Sequence, residues 1–480
     1  MSTIHISPYS GTWYPAEERE LESLLDDCFA SSETRTGRCL LPNGLGFVVP
    51  HAGPQYSGVV AASVYRSLRR QRPERIILLA FPHRGGLRGP AVPEASSIAT
   101  PLGNVPVDCE LRTRFRQISE DRVCDHSFEI QLPFLQKAAP GARISPLYVG
   151  PMSASERRSA AEALAEEWRP GTVFLASSDF THYGSNFGYV PFPTDDRVAA
   201  RLEGLDFACI EATGSLDASL LHETLAETGA TVCGSDPIAL LLATLDRLWG
   251  LDVFQATLDY QTSGEITGDY HHSVSYAALG YYHRSAFELR TDDCHVLLAS
   301  AQETLRRLHA TRRRELTPAQ GGSLALESGR GVFVSLHRGD ELLGCMGCPA
   351  TTQPLAEAVP QFALAAALDD PRFPAGAAVK GPVDIEISVL TPLRRLRDAG
   401  RFQVGRHGGV LMLHGRTGLL LPQVATSREW TAAQFLAALG RKSGVDPEDP
   451  RAKLYVFEAQ VFGKKGCDLG GTRSLTVAAR

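Results

Sequence analysis

Gly46-Phe47-Val48-Val49-Pro50-His51-Ala52-Gly53 decides the fold of this chain. A short apolar run ends at a proline, and a histidine stands in the glycine-containing turn that follows. Such a run, bounded by turn residues, reads as a strand buried on both faces. The same device recurs twice. Ile76-Ile77-Leu78-Leu79-Ala80 runs out into Phe81-Pro82-His83-Arg84-Gly85-Gly86, and Thr172-Val173-Phe174-Leu175-Ala176 into Ser177-Ser178-Asp179-Phe180-Thr181-His182. Residues 144–149 predict a fourth strand, which Pro146 should shorten or place at an edge. Helical periodicity over 59–70 and 153–168 lies between these runs, the second opened by Ser153 or Ser155 as N-cap. This alternation predicts an α/β domain: a mostly parallel sheet with flanking helices.

Three strands thus each deliver a histidine at their carboxyl end, the edge where open parallel sheets bind ligands. Cys233 precedes the strongly helical stretch 238–248, for which Ser235 or Asp236 is the expected N-cap and Pro237 lies near the first turn. A helix start favours a thiolate there. His51, His83 and Cys233 then form a set of two imidazoles and a thiolate able to hold a metal, to which Asp179 can add a carboxylate. His126 and Glu129 are three residues apart and share a face if helical. They are expected to line the same pocket or to orient its ligands. Each residue alone has a plainer reading: a loop histidine, a small buried thiol, a surface pair. His271 and His272 are read as loop residues. The joint pattern is what points to a functional rim.

The bulk properties are those of an ordinary globular protein. The chain has 480 residues, 43% hydrophobic and 21% charged, with a formal net charge of −6. That length exceeds one core, and the mild acidity argues against a nucleic-acid surface. The basic run Arg312-Arg313-Arg314 reads as a solvated face. No secretory signal and no membrane-length apolar run are visible, so the expectation is a cytoplasmic protein with its ten cysteines as thiols.

A closing strand is expected over 273–279, and the polar stretch 284–293 is the best boundary. The expected division is a first domain at 1–285, a linker at 286–292 and a smaller α+β domain at 293–480. In the second, strands are expected over 331–336, 383–390, 410–413 and 453–457, with helices over 295–308, 355–368 and 431–439. Pro360 should kink or split the middle helix.

Several stretches resemble the Memo family. They are Gly11-Thr12-Trp13-Tyr14-Pro15, Pro50-His51-Ala52-Gly53 with Tyr56-Ser57-Gly58, the strand leading to His83, and His126-Ser127-Phe128-Glu129-Ile130-Gln131-Leu132-Pro133. Ser177 to His182, Cys233-Gly234 with Asp236-Pro237-Ile238, and Ser273-Val274-Ser275-Tyr276-Ala277 complete the set. The resemblance implies a fold similar to the class III extradiol dioxygenases, which use non-haem iron. It implies His51, His83 and Cys233 as ligands of a mononuclear transition metal, with Asp179 and His182 lining the pocket. Two departures stand out. Ala80-Phe81-Pro82 replaces a Gly-Pro-Ser-like loop and Arg84 follows His83. The family also has a cysteine where the dioxygenases have a carboxylate, so copper or zinc competes with iron.

The enzymatic reading makes His182 a general base and Asp179 its orienting group or a further ligand, in a metal-dependent redox or dioxygenase-like enzyme. The alternative is a non-catalytic assembly module that holds a small molecule, a peptide or a partner protein. The resemblance also implies a radical S-adenosylmethionine protein as partner.

Residues 293–465 resemble the AMMECR-type domain, whose motif Leu-Arg-Gly-Cys-Ile-Gly stands here as Leu342-Leu343-Gly344-Cys345-Met346-Gly347. Leu343 replaces the arginine. Gly344, Cys345 and Gly347 are the candidate motif residues of this domain. The Cys345-x-x-Cys348 spacing lacks the second pair a zinc site needs, and its context reads as a turn. A nucleophile–base pair of Cys345 with His407 is a further reading.

Overall fold

The computed structural model describes residues 4–38, 40–119, 125–467 and 478–479. They form two compact units, divided between Ala286 and Phe287.

In the first unit the strands are β1 (Ile4–Ile6), β2 (Gly44–Val49), β3 (Arg75–Ala80), β4 (Pro90–Pro93), β5 (Ser97–Thr100), β6 (Gly103–Pro106), β7 (Arg116–Ile118), β8 (Arg143–Val149), β9 (Thr172–Ser177), β10 (His182–Gly184), β11 (Val253–Thr262) and β12 (His272–His283). The main sheet runs β10-β12-β2-β9-β3-β8-β4-β7, with β11 also paired to β12. Its centre, β2-β9-β3-β8, is parallel, and β12 and β4 join it antiparallel. β1, β5 and β6 form a separate small sheet.

The central strands are apolar on both faces because helices cover both. Helix Pro54–Gln71 packs on β2 and β12 together with helix Glu18–Thr36. Helix Ser235–Trp249 packs on β2, β9 and β3 with helix Ala154–Glu167 behind it. Val48, Ile77, Leu79, Phe174 and Ala176 are fully buried in the core on this second side, against Ile238, Leu241 and Leu245. Ser153 caps helix Ala154–Glu167 through a reciprocal capping box with Glu156.

Three local expectations are corrected. β8 lies inside the sheet order, between β3 and β4. The Ile144 carbonyl points away from β3 and accepts from Asp108 N, so two residues on Pro146 also turns its missing N–H outward, where β4 reaches only Tyr148 and Val149. Helix Pro54–Gln71 begins a turn before residue 59, with Gly53 as N-cap and Pro54 at its first position. Helix Ser235–Trp249 is capped by Gly234, not Ser235 or Asp236. A Cβ at Gly234 would lie 2.4 Å from the Ser177 carbonyl oxygen and 2.5 Å from Ser178 Cβ, so close packing excludes a capping side chain.

The second unit is α+β with antiparallel sheets. Its strands are β13 (Val332–Arg338), β14 (Glu341–Cys348), β15 (Val383–Leu390), β16 (Arg394–Arg395), β17 (Gly408–Leu413), β18 (Arg416–Leu420), β19 (Lys453–Phe457), β20 (Ala459–Cys467) and β21 (Ala478–Ala479). They form the sheets β14-β13-β15-β20-β21 and β16-β19-β17-β18. Helices Thr291–Thr311 and Leu355–Leu368 bury Leu297, Leu305, Val359 and Leu364 against Val334, Leu336 and Ile387.

Helix Leu355–Leu368 runs unbroken through Pro360. The Ala356 carbonyl, which Pro360 cannot reach, accepts from Ala319 N at 2.9 Å, so its hydrogen bond is replaced. Of the stretch expected as linker, all but Ala286 belongs to this unit: Phe287 and Leu289 are buried, and Leu289 N donates to Gln460 Oε1 at 2.7 Å.

Candidate metal centre

β2, β9 and β3 are neighbours and level at their carboxyl ends, Val49 standing opposite Ser177 and Leu79 opposite Ala176. The three loops that follow therefore open onto one rim. His51, His83 and Cys233 each offer a donor atom there, and these atoms lie within 4.8 Å of one another. Cys233 Sγ is 3.2 Å from His51 Nε2, and the His51 and His83 rings meet edge to face at 5.1 Å.

The ring orientations are set by partners behind them. His83 Nδ1 lies 2.8 Å from Asp125 Oδ1, and His83 N donates to Asp125 Oδ2 at 3.2 Å. The carboxylate accepts the Nδ1 proton, which leaves Nε2 as the free lone pair. Burial alone would raise the Asp125 carboxyl, but the His83 hydrogen bond, the charges of His126 and His83 and the Ser127 N–H bring it below its ordinary range. Asp125 also caps the short helix His126–Glu129. His83, Asp125 and His126 are close enough to form a second donor set. Their contacts assign Asp125 instead to capping and to holding His83.

His51 is 1% exposed. Burial, then the charges of His126, His83 and His182, hold its imidazole well below the ordinary range, so it is neutral. Cys233 corrects an expectation: the helix start does not hold it as a thiolate. Burial first and the Asp179 carboxylate second push its thiol up, outweighing hydrogen bonds from Ser178 and from Gly234 N. Without a cation the sulfur keeps its proton, and Sγ lies 3.6 Å from the Asp179 carbonyl.

Asp179 sits between the two arms. Its Oδ1 accepts from His51 N at 2.8 Å and Ala52 N at 3.3 Å, and its Oδ2 is 4.0 Å from His51 Nε2. Burial raises its carboxyl, a shift opposed by His182 and by those two N–H donors. His182 Nδ1 lies 2.9 Å from the Phe180 carbonyl and 3.1 Å from the Thr231 carbonyl. Both can only accept, so Nδ1 carries the proton and Nε2 is the basic atom.

The pair expected to work together parts company. His126 stacks on His83 at 4.1 Å, and burial lowers its pKa to about 4. Glu129 turns away: it is fully buried and its Oε1 meets His5 Nε2 at 3.0 Å. Trp13 stacks on the other face of the His126 ring at 4.2 Å, so the amino-terminal segment lies against the site. A cavity of about 540 Å3 adjoins His51 through Ala52 and Gly53, walled by Trp13, Tyr56, Tyr276 and His272. His272 is therefore not a loop residue. It opens β12, and its Nδ1 is buried without a hydrogen-bond partner among the described residues. Neither the tie of Asp125 to His83, which spans 42 positions, nor the place of His272 on the cavity wall has a local sequence signal.

In the second unit, Cys345 and Cys348 lie within β14, not in a turn. Three residues apart on a regular ladder, they face opposite sides of the sheet and cannot share a metal or a disulfide. A Cβ at Gly344 would stand 1.9 Å from the Ala366 carbonyl, and one at Gly347 2.2 Å from that of Val332, so packing explains both glycines. Leu343 is buried in the apolar core. Cys345 Sγ accepts from Ser335 Oγ at 3.2 Å, while His407 Nδ1 accepts from Gln403 N at 3.1 Å.

The model of the Memo-like protein family matches residues 7–280. The chain belongs to this family. The AMMECR1 model matches residues 298–462, so the Memo-like part is followed by an AMMECR1 part in one chain. The chain is 32% identical over 289 residues to MEMO1 family protein MK0963 of Methanopyrus kandleri, covering 56% of this chain and 96% of that protein. It is 27% identical over 285 residues to the protein memo-1 homolog of Caenorhabditis elegans, covering 56% of this chain and 80% of that one. Protein MK0488 of Methanopyrus kandleri is 41% identical over 149 residues, 28% of this chain and 70% of its own length. Among solved structures, the uncharacterized protein PH0010 from Pyrococcus horikoshii shares 31% identity over 37% of this chain and 94% of its own, with a TM-score of 0.35. Among the described residues of this Memo-like chain, no helix is long and apolar enough to cross a membrane.

Proposed function

We propose that the Memo-like unit is a metal-dependent oxidoreductase of the dioxygenase-like type, with a mononuclear transition metal held by His51, His83 and Cys233. The observation that carries this reading is the convergence of three donors, the buried His51, the half-buried Cys233 and the exposed His83, within 4.8 Å at one sheet rim. The donor chemistry fits: His83 presents a bare Nε2 and Cys233 a sulfur that becomes a thiolate when a cation displaces its proton. Iron or copper suits two imidazoles and a thiolate, with zinc a competitor. A bound redox metal would supply Lewis acidity and one-electron chemistry at the rim.

The remaining steps belong to the protein's own side chains. A small molecule or peptide would enter the cavity beside Ala52 and Gly53 and lie between Trp13, Tyr56 and Tyr276. His182 Nε2, with its Nδ1 fixed by two carbonyls, would take a proton from the ligand. Asp179, held by His51 N and Ala52 N, would keep that loop in register. The coupled partner expected for this unit is a radical S-adenosylmethionine protein.

The test is oxygen uptake by iron- or copper-reconstituted protein offered phenolic and peptide ligands. Metal-dependent uptake that is lost in His182→Gln, with metal retained, supports the reading. No uptake with any ligand, together with co-purification of a partner that survives metal removal, favours the assembly module instead.

A further inference from the structure

We infer that Ser177 and Gln131 are positioning residues that dictate which nitrogen of His51 carries its proton, and so keep the His51 Nε2 lone pair open to a cation. This rests on the metal-centre reading, but it has its own observable in the metal-free protein.

The argument is a count of protons. Ser177 Oγ donates to the Ser127 carbonyl, which can only accept. It lies 2.9 Å from Gln131 Nε2 and 3.0 Å from His51 Nδ1. A hydroxyl has one proton. With that proton committed to Ser127, both remaining neighbours must donate to Ser177 Oγ.

Gln131 is held in the matching orientation from its other side. Its Nε2 also donates to the Pro50 carbonyl at 2.9 Å, and its Oε1 accepts from Tyr65 OH. A flipped amide would set its oxygen against the Pro50 carbonyl, where neither atom can donate, so the orientation is fixed on that side. The direction of every bond from Tyr65 to His51 therefore follows from two backbone carbonyls that cannot donate.

His51 is thus protonated at Nδ1, and its neutral ring presents a bare Nε2 towards Cys233 Sγ. The opposite tautomer would aim an N–H at Cys233 and Asp179 and close the site to a cation. Tyr65, Gln131 and Ser177 are fully buried and His51 is 1% exposed, so no solvent stands ready to replace a deleted partner. The three come from separate places: mid-helix in Pro54–Gln71, the first residue of helix Gln131–Ala138, and the last residue of β9.

The experiment uses the full chain with zinc as probe. Zinc affinity is measured by chelator competition, and the protonated nitrogen of His51 in the metal-free protein by 15N-histidine NMR. Ser177→Ala is expected to weaken zinc by about 10–100-fold and to move the His51 proton to Nε2. Gln131→Met, which leaves Ser177 in place, is expected to lower affinity less. Should Ser177→Ala fail to fold, Ser177→Cys keeps the volume with a poor acceptor and is expected to behave the same way. Wild-type zinc affinity with His51 still protonated at Nδ1 in the folded Ser177 variant overturns the inference. So does Nε2 protonation of His51 in the metal-free wild type. A wild type that binds no zinc yet carries the His51 proton at Nδ1 defeats the metal reading and leaves the positioning role standing.

Discussion

Asp125 Oδ1 lies 2.8 Å from His83 Nδ1, although the two residues are 42 positions apart and on different elements. The carboxylate belongs to the residue that caps a four-residue helix, the histidine follows β3, and the bond turns the imidazole so that Nε2 faces the rim. One residue thus serves as helix cap and as orienting partner of a ligand.

Removing that carboxylate should loosen the centre without removing a ligand. Asp125→Ala is expected to weaken metal binding by about 10–100-fold. Asp125→Asn keeps an acceptor for His83 and should fall between it and wild type. Chelator competition measures both. Equal affinities across the three proteins would assign Asp125 to capping alone.

Cation binding should release a proton from Cys233. Burial and Asp179 raise the thiol above its ordinary range, so the metal-free sulfur is protonated at pH 8, while His51, lowered by burial, has no proton to lose. At pH 8, above an ordinary imidazole pKa, zinc binding is expected to release about one proton, and affinity to rise with pH. Calorimetry in buffers of differing ionisation enthalpy reads the number. Release of none would mean that Cys233 is not a ligand or is already a thiolate.

How much of this was legible beforehand depends on the kind of signal. The strands ending at His51, His83 and near Asp179 were readable because parallel strands buried on both faces are unbroken apolar runs, and the turn after each is polar. The rim followed from them. The cap of helix Ser235–Trp249 was not, because the reason for Gly234 is a contact with Ser177 and Ser178, more than fifty residues away in sequence. Pro360 misled for the same reason: its effect is cancelled by Ala319, a tertiary donor. Glu129 and His126 do stand three apart on one helix, yet that helix is only four residues long, and their side chains part, Glu129 being claimed by His5.

The motif glycines of the second unit should be intolerant for steric reasons. Gly344→Ala places a methyl 1.9 Å from the Ala366 carbonyl and is expected to destabilise this unit by about 2–4 kcal/mol. Gly381→Ala, where the nearest atom is the Arg338 Nη2 at 3.9 Å, is the control and should be near neutral. Denaturant unfolding compares them. Equal stabilities would contradict the close packing of β14 on helix Leu355–Leu368.

Cys345 and Cys348 should stay unlinked under oxidation, since β14 directs them to opposite faces. Diamide treatment followed by peptide mass spectrometry is expected to find no bond between them. A linked peptide would show that β14 departs from its ladder.

The central claim is that His51, His83 and Cys233 hold one metal ion. Elemental analysis of purified protein, beside the His51→Ala, His83→Ala, Cys233→Ser triple variant, tests it most directly. The account predicts near-stoichiometric iron, copper or zinc in the wild type after anaerobic reconstitution and none in the variant. Metal retained by the folded variant, or absent from the reconstituted wild type, would contradict it.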